Sequence, residues 1–489
     1  MNVVSAHNAS PFASGPFING AWHSFPNRDE IAVENPADET VIARIPDCTA
    51  DDANTAVAAA KKASADWSAR PAIERAGFVH ALADAVAANT ERLAALVTAE
   101  QGKPISQAVG EIGAAVTFLR YAAEQARRIT GEILPSDATG QDIHIRRHPY
   151  GVVVGLTAWN YPAALAARKL GPALVAGNTF VLLSHENTPL SGLALAELAD
   201  KVDLPRGVFN VLTGRGAVVG QSLVEHPDTN LITMTGSTRA GREIYRTSAD
   251  QLKVIRLELG GKAPFIVMED ADIDAAVEAA ITARFTNCGQ ICTCNERMYL
   301  HGSIADAFLD KFVAAARALR IGDPMTAVNI GPKISGAEVT KVADITAQGI
   351  AAGAQVLLEG GPLSDGPFEK GHWYAPTVLE VSDNANPLLQ EEVFGPVVAA
   401  KRIADFDEAI ACANDTKFGL SAYLFTRDAK RLSEAPHRLQ FGELYLNRTN
   451  GEAVQGFHTG WGMSGLGGED GTHGFDGYLR KQTAYLNWG

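Results

Sequence analysis

Gly151-Val152-Val153-Val154-Gly155-Leu156 is an apolar run of strand length, and its pattern recurs downstream. Similar runs stand at 179–183, 208–212, 231–235 and 254–257. Between them lie stretches with helical spacing, at 163–176, 189–202, 216–226 and 240–250. Thr188-Pro189 reads as an N-cap followed by a first-turn proline. Strand and helix alternating in this way predict a mainly parallel, doubly wound sheet. In such a sheet, ligands sit outside the carboxyl ends of the strands.

Upstream, residues 17–48 alternate and carry the turn signals Asn19-Gly20 and Asn35-Pro36, which predict a small antiparallel region. From 50 to 131 the spacing is helical, with Phe78, Leu82 and Val86 on one face. A further helix is expected from Thr90-Glu91, with Gly102 as its stop. Downstream, 260–461 reads as a second α/β region. The end of the chain, Gln482-Thr483-Ala484-Tyr485-Leu486-Asn487, is β-prone, and such a strand invites pairing with a neighbour.

The 489 residues are too many for one core, so two or three domains are expected. A net charge of −14 disfavours nucleic acid or an anionic membrane as partner, since both want a basic face. Five cysteines are few for this length and odd in number, which suits a reducing compartment. The stretch Met1 to Phe17 lacks the pattern of a signal peptide, and no run has the ~20 apolar residues that span a bilayer. A cytoplasmic location is the expectation.

The densest chemistry lies in Phe285-Thr286-Asn287-Cys288-Gly289-Gln290-Ile291-Cys292-Thr293-Cys294. A cysteine is most often a small buried hydrophobe. Zinc is a second reading, but C-x3-C-x-C has no fourth thiol or histidine nearby, so no metal is expected. The third reading is a nucleophile in a loop containing glycine and glutamine.

Four motifs in order favour the third. Asn287-x-Gly289-Gln290-x-Cys292 resembles the nucleophile motif of the aldehyde dehydrogenase superfamily, and Glu258-Leu259-Gly260-Gly261-Lys262 its general-base motif. Trp159-Asn160-Tyr161-Pro162 resembles its oxyanion motif, and Glu391-Glu392-Val393-Phe394-Gly395-Pro396 its nicotinamide-side motif. The similarity runs from about Ile18 to the end of the chain. It implies an α/β fold with a Rossmann-type NAD-binding domain (1–126 and 150–258), an α/β catalytic domain (259–461) and a small β oligomerisation element (127–149 and 474–489). A homodimer or homotetramer is implied as well.

The resemblance implies the chemistry too. Cys292 would attack a small aldehyde, because a planar aldehyde carbon is a poor hydride donor until it becomes tetrahedral. The Asn160 amide and the Cys292 backbone N–H would hold the oxyanion. Glu258 would deprotonate the water that hydrolyses the thioester. Lys169 matches a lysine of the polar network behind the site. NAD is the implied cofactor, with Trp159, Glu392 and Phe394 on the nicotinamide side.

Gly214-x-Gly216-x-x-x-Gly220 is one residue off the usual dinucleotide fingerprint. Thr235-Gly236-Ser237-Thr238-Arg239-Ala240-Gly241 is the better phosphate turn, with Gly236, Ser237 and Gly241 at the start of a helix. Glu186 would accept from the adenine-ribose hydroxyls and repel a 2′-phosphate, which favours NAD over NADP. The family usually has lysine where this chain has Leu183.

Arg168, Glu452 and His458 offer polar groups to the substrate. The string Asn447-Arg448-x-x-x-Glu452-Ala453-x-Gln455-Gly456-Phe457-His458 resembles the lactaldehyde/glycolaldehyde dehydrogenase branch. Its implied substrate is a short hydroxyaldehyde. A semialdehyde substrate is the alternative, and a CoA-acylating relative is a remoter one.

Overall fold

The computed structural model describes residues 15–489. An eight-stranded sheet holds the apolar run Val152–Leu156. Its order is Ala21–Trp22, Phe17–Ile18, Phe209–Leu212, Thr179–Leu183, Val152–Leu156, Thr229–Thr235, Val254–Glu258 and Gly465–Leu466. The five central strands are parallel, and the edge pairings are antiparallel.

Strand alternation decides what each face buries. Val153, Phe180, Leu182, Phe209 and Val211 pack on a layer drawn from helices Ala72–Ala88, Thr90–Gln101, Ile105–Glu124, Pro162–Ala176 and Leu190–Lys201. Val152, Val154, Val181, Leu183, Leu212 and Ile232 pack on helix Ala50–Ala69 and the segment after Gly216. Helices on both faces explain why these strands are almost wholly buried.

A second, seven-stranded sheet runs Gln355–Leu358, Thr377–Glu380, Val397–Ile403, Asn295–His301, Ala263–Val267, Ser421–Phe425, Glu443–Leu446. It too is parallel, except for its first pair. Its faces bury separate cores, one around Phe265, Met298 and Phe308, the other around Ile266, Tyr299 and Leu388. The chain steps from the first sheet to the second within Leu259-Gly260-Gly261-Lys262.

Two sequence expectations need correction. The helix expected at 216–226 is a π-turn over Gly216–Gly220 followed by a short α-helix, Gln221–Glu225. Thr188 does not cap the next helix. That helix is Leu190–Lys201, and the buried Glu100 carboxylate accepts from the backbone N–H groups of Leu190 (2.8 Å) and Ser191 (2.9 Å). The terminal strand Leu479–Asn487 pairs first within its own chain, antiparallel to Gln141–Pro149, which in turn pairs with Glu132–Pro135. Gly102 does end Thr90–Gln101, in the left-handed conformation at φ 89°. Among the described residues no helix is long and apolar enough to cross a membrane.

Candidate active site

All five central strands of the first sheet end where the sequence placed a candidate residue. Val152–Leu156 leads to Trp159 and Asn160, Thr179–Leu183 to Glu186, and Phe209–Leu212 to Gly216. Thr229–Thr235 leads to Gly236 and Ser237, and Val254–Glu258 ends on Glu258 itself. The second sheet contributes the amino ends of its strands. Cys292 precedes Asn295–His301, and Glu392 and Phe394 precede Val397–Ile403.

The nucleophile loop is wound tightly. Asn287 and Cys288 have left-handed backbones at φ 52° and 56°, a costly conformation that surrounding contacts must hold. Gln107 Oε1 accepts from the Asn287 N–H at 2.8 Å. Gln290 ties the loop down twice, donating to the Asn287 carbonyl (3.0 Å) and accepting from the Ile334 N–H (3.0 Å). Burial pushes the Cys288 thiol up to about 11 and that of Cys294 up to about 12. Cys288 and Cys294 are buried, whereas Cys292 is half-buried. Gly261 exists for this loop, because a Cβ there would lie 2.2 Å from the Cys292 carbonyl oxygen.

Asn160 is anchored from both sides. Its Nδ2 donates to the Gln290 carbonyl at 3.0 Å. Its own carbonyl accepts from Lys103 Nζ (2.7 Å) and Asn287 Nδ2 (3.1 Å). Lys103 is fully buried against Glu111, and Glu111 also accepts from the N–H groups of Ala163 and Ala164, which start helix Pro162–Ala176. Lys103 and Glu111 were not found by sequence reasoning. The available signal was a carboxylate on the apolar face of Ile105–Glu124, beside Ala108, Ile112 and Ala115.

Glu258 is buried, and neither carboxylate oxygen has a hydrogen-bond partner. Burial pushes its pKa up to about 8, with His458 the main opposing influence. His458 lies 3.5 Å from Glu258 through Nε2, and its Nδ1 lies 3.1 Å from Glu443 and 3.7 Å from Glu452. Arg168 donates to Asp470 through Nε at 2.9 Å and to Glu452 at 3.1 Å, with Glu469 at 3.5 Å. Lys169, next on the same helix, is paired with Glu469, which also accepts from Thr233 Oγ1 at 3.1 Å. Burial resists ionisation of Glu469, but Lys169, Arg168 and Arg256 outweigh it and hold the carboxyl down to about 2. His458 is therefore no surface residue, while the Glu452 side chain stays 24% exposed.

On the other side of the site, Glu392 accepts from the Gly261 N–H at 2.8 Å, and burial pushes its pKa up to about 7. Glu296, paired with Lys262 at 2.7 Å, accepts from the N–H groups of Val393 (2.8 Å) and Phe394 (2.7 Å). Those bonds hold Phe394 at φ 55°, edge-on to Trp159 with ring centroids 5.5 Å apart. Glu186 accepts from the Gly216 N–H at 3.3 Å. Ser237 caps helix Thr238–Ser248, accepting from Ala240 at 3.2 Å, and Gly241 packs against Leu259.

Residues 22–484 match the aldehyde dehydrogenase family. The chain belongs to that family. It is 44% identical to the 3,6-anhydro-alpha-L-galactose dehydrogenase of Vibrio sp. (strain EJY3) over 473 residues, 96% of this chain and 98% of the relative. It is 41% identical to the lactaldehyde dehydrogenase of Escherichia coli (strain K12) over 472 residues, again 96% and 98%. Among solved structures, that of 3,6-anhydro-L-galactose dehydrogenase in complex with NAP superimposes with a TM-score of 0.95 at 44% identity, covering 97% of this chain and 99% of the other. As an aldehyde dehydrogenase, the chain is an oxidoreductase. Leu183 is its notable departure from the family pattern. It is buried in the core beneath helix Ala50–Ala69 and presents no cation at the end of its strand.

Proposed function

We propose that this enzyme oxidises a small, uncharged hydroxyaldehyde, such as lactaldehyde or glycolaldehyde, to the carboxylic acid with NAD. The Cys292 thiolate adds to the aldehyde carbon, giving a thiohemiacetal alkoxide beside the Asn160 amide and the Cys292 backbone N–H. Departure of hydride leaves a thioester on Cys292. Glu258 takes a proton from water as that water attacks the thioester, and the acid leaves as sulfur recovers its electron pair. A water-activating Glu258 favours hydrolysis over transfer to CoA.

The carrying observation is the state of Arg168. Its guanidinium faces Asp470, Glu452 and Glu469, so it has little charge to offer an anionic substrate. Lys169 is likewise paired and fully buried. A semialdehyde carboxylate would meet Glu452 and Glu443, whereas a hydroxyl can donate to them. Both relatives named above act on hydroxylated aldehydes by their names.

The carboxyl edge of the first sheet suits a dinucleotide. Thr157, just past one strand, and Thr235, the last residue of the adjacent strand, carry buried hydroxyls without partners, and Ser237 caps the helix that follows. Gly216, Gly236, Ser237 and Gly241 would hold its phosphates, Glu186 the adenine ribose, and Trp159, Glu392 and Phe394 the nicotinamide end. When bound, NAD supplies the hydride acceptor. Glu186 and the missing cation at Leu183 both disfavour a 2′-phosphate. The proposal includes the division into the two α/β domains and the β element given above, and assembly into a homo-oligomer.

The test is turnover of lactaldehyde, glycolaldehyde, propanal and succinate semialdehyde with NAD⁺ and NADP⁺ in parallel, without CoA. The expected result is acid formation with NAD⁺ and a kcat/KM for lactaldehyde at least ~100-fold above propanal, because a site built to bond a hydroxyl rejects analogues lacking it. Equal rates for lactaldehyde and propanal would refute the substrate class.

A further inference from the structure

We propose that His458 is a catalytic residue whose positive charge stabilises the Cys292 thiolate before attack and the Glu258 carboxylate before it accepts a proton. The proposal rests on the thioester reading above.

The geometry sets His458 beside Glu258, at the centre of a cluster of carboxylates. Its ring is buried, with 3% of the side chain exposed. The backbone is locked by a reciprocal pair of hydrogen bonds with Glu469, at 2.9 and 2.7 Å, so the ring is placed by a rigid bridge and not by a mobile loop tip. Nε2 faces Glu258 at 3.5 Å, and the imidazole is the main electrostatic influence that opposes burial at the Cys292 thiol. Nδ1 faces away, toward Glu443 and Glu452. One atom from each of Glu443, Glu452 and His458 lies within 4.8 Å of the others.

The charges around the ring decide its protonation. The carboxylates are Glu258, Glu443, Glu452, Glu469 and Asp470, and the other cations are Arg168 and Lys169. Lys169 is taken by Glu469, and Arg168 by Asp470 and Glu452, so His458 is the cation that faces Glu443 and a second one for Glu452. Burial and Arg168 both oppose a charge on the ring, but Glu452, Glu258 and Glu443 outweigh them, and the imidazole sits well above its ordinary range. In return, burial holds both Cys292 and Glu258 above their ordinary ranges, and His458 is the leading influence that opposes it at each. A ring already protonated takes no proton in the reaction. The thiol proton goes to solvent, and the imidazolium stays to balance the sulfur.

The test needs no substrate. The rate of Cys292 alkylation by iodoacetamide is followed against pH in the full-length enzyme by mass spectrometry of the Cys292 peptide. The variants are His458→Asn, which keeps polarity without charge, and Glu443→Gln, which leaves the ring in place but weakens its hold on the proton. The expected result is an alkaline shift of the inflection by about one pH unit or more for His458→Asn and a smaller shift for Glu443→Gln. An unshifted His458→Asn profile overturns the proposal. If that variant does not fold, an unshifted Glu443→Gln profile does so. A Cys292 peptide that never alkylates in the wild-type enzyme would instead sink the thioester reading itself, so the two failures are distinguishable.

Discussion

Cys288, Cys292 and Cys294 share one loop, and burial pushes all three thiols up, but only Cys292 keeps partial exposure and has His458 to oppose the burial. Replacing Cys292 by Ser should therefore lower kcat by at least ~1000-fold, since a hydroxyl is far weaker as a nucleophile at neutral pH. Cys288→Ser and Cys294→Ser should act on thermal stability and leave kcat within a few-fold. Steady-state rates with unfolding curves on the same preparations check this. Glu258 gives a second expectation. Its pKa is raised to about 8, so the base form gains with rising pH, and thioester hydrolysis should climb through pH 8 and then level. Glu258→Gln should give about one NADH per site in a burst and then stall, as stopped-flow absorbance would show. The motifs made Cys292, Glu258 and Asn160 legible from sequence. The groups that hold them were mostly not, because the partners are remote in the chain: the resemblance named Lys169 but not Glu469, 300 positions away, and Lys103 reaches Asn160 across 57. A charge pair so separated leaves no periodic trace.

At the scale of the element, the same limit explains the helix Leu190–Lys201. Thr188-Pro189 has the local chemistry of a cap, so the sequence pointed there. The structure puts the carboxylate of Glu100, from the end of another helix, on the exposed N–H groups, and leaves the Thr188 hydroxyl buried without a partner. Thr188→Val should then change stability by less than about 0.5 kcal/mol, because both shape and the absence of a bond are kept. Glu100→Ala should cost about 1–3 kcal/mol, because it strips acceptors from buried donors. Chemical denaturation of the two variants decides between the local and the remote cap. The break at Gly216–Gly220 was hidden for a different reason. Periodicity reports which residues are apolar, and Val219 and Leu223 stay buried whether the turn is α or π.

At the scale of the molecule, the two parallel sheets meet through what their strand ends carry. The first offers carboxyl ends and the second amino ends, joined by the short crossing at Gly260-Gly261. The first sheet was readable because strands buried on both faces are continuous apolar runs, a strong signal. From residue pattern alone the three-stranded sheet was readable only at its last strand, since 132–149 is polar and mostly half-exposed, and that stretch entered through the family resemblance. That sheet carries large apolar groups in water, with Ile133 73%, Tyr485 78% and Trp488 69% exposed. Leu479–Asn487 has one edge paired to Gln141–Pro149 and its other edge open among the described residues. An open edge beside exposed aromatic rings is a liability for a chain that stays single, and burial against a second copy removes it. The enzyme should therefore sediment as a dimer or tetramer, and Tyr485→Glu with Trp488→Glu should shift it toward smaller species at micromolar concentration. Cys292 and Glu258 come from the two large sheets and not from this one, so alkylation of Cys292 should persist in the dissociated form. A wild-type monomer, or a double variant of unchanged mass in analytical ultracentrifugation, would count against this surface as the contact.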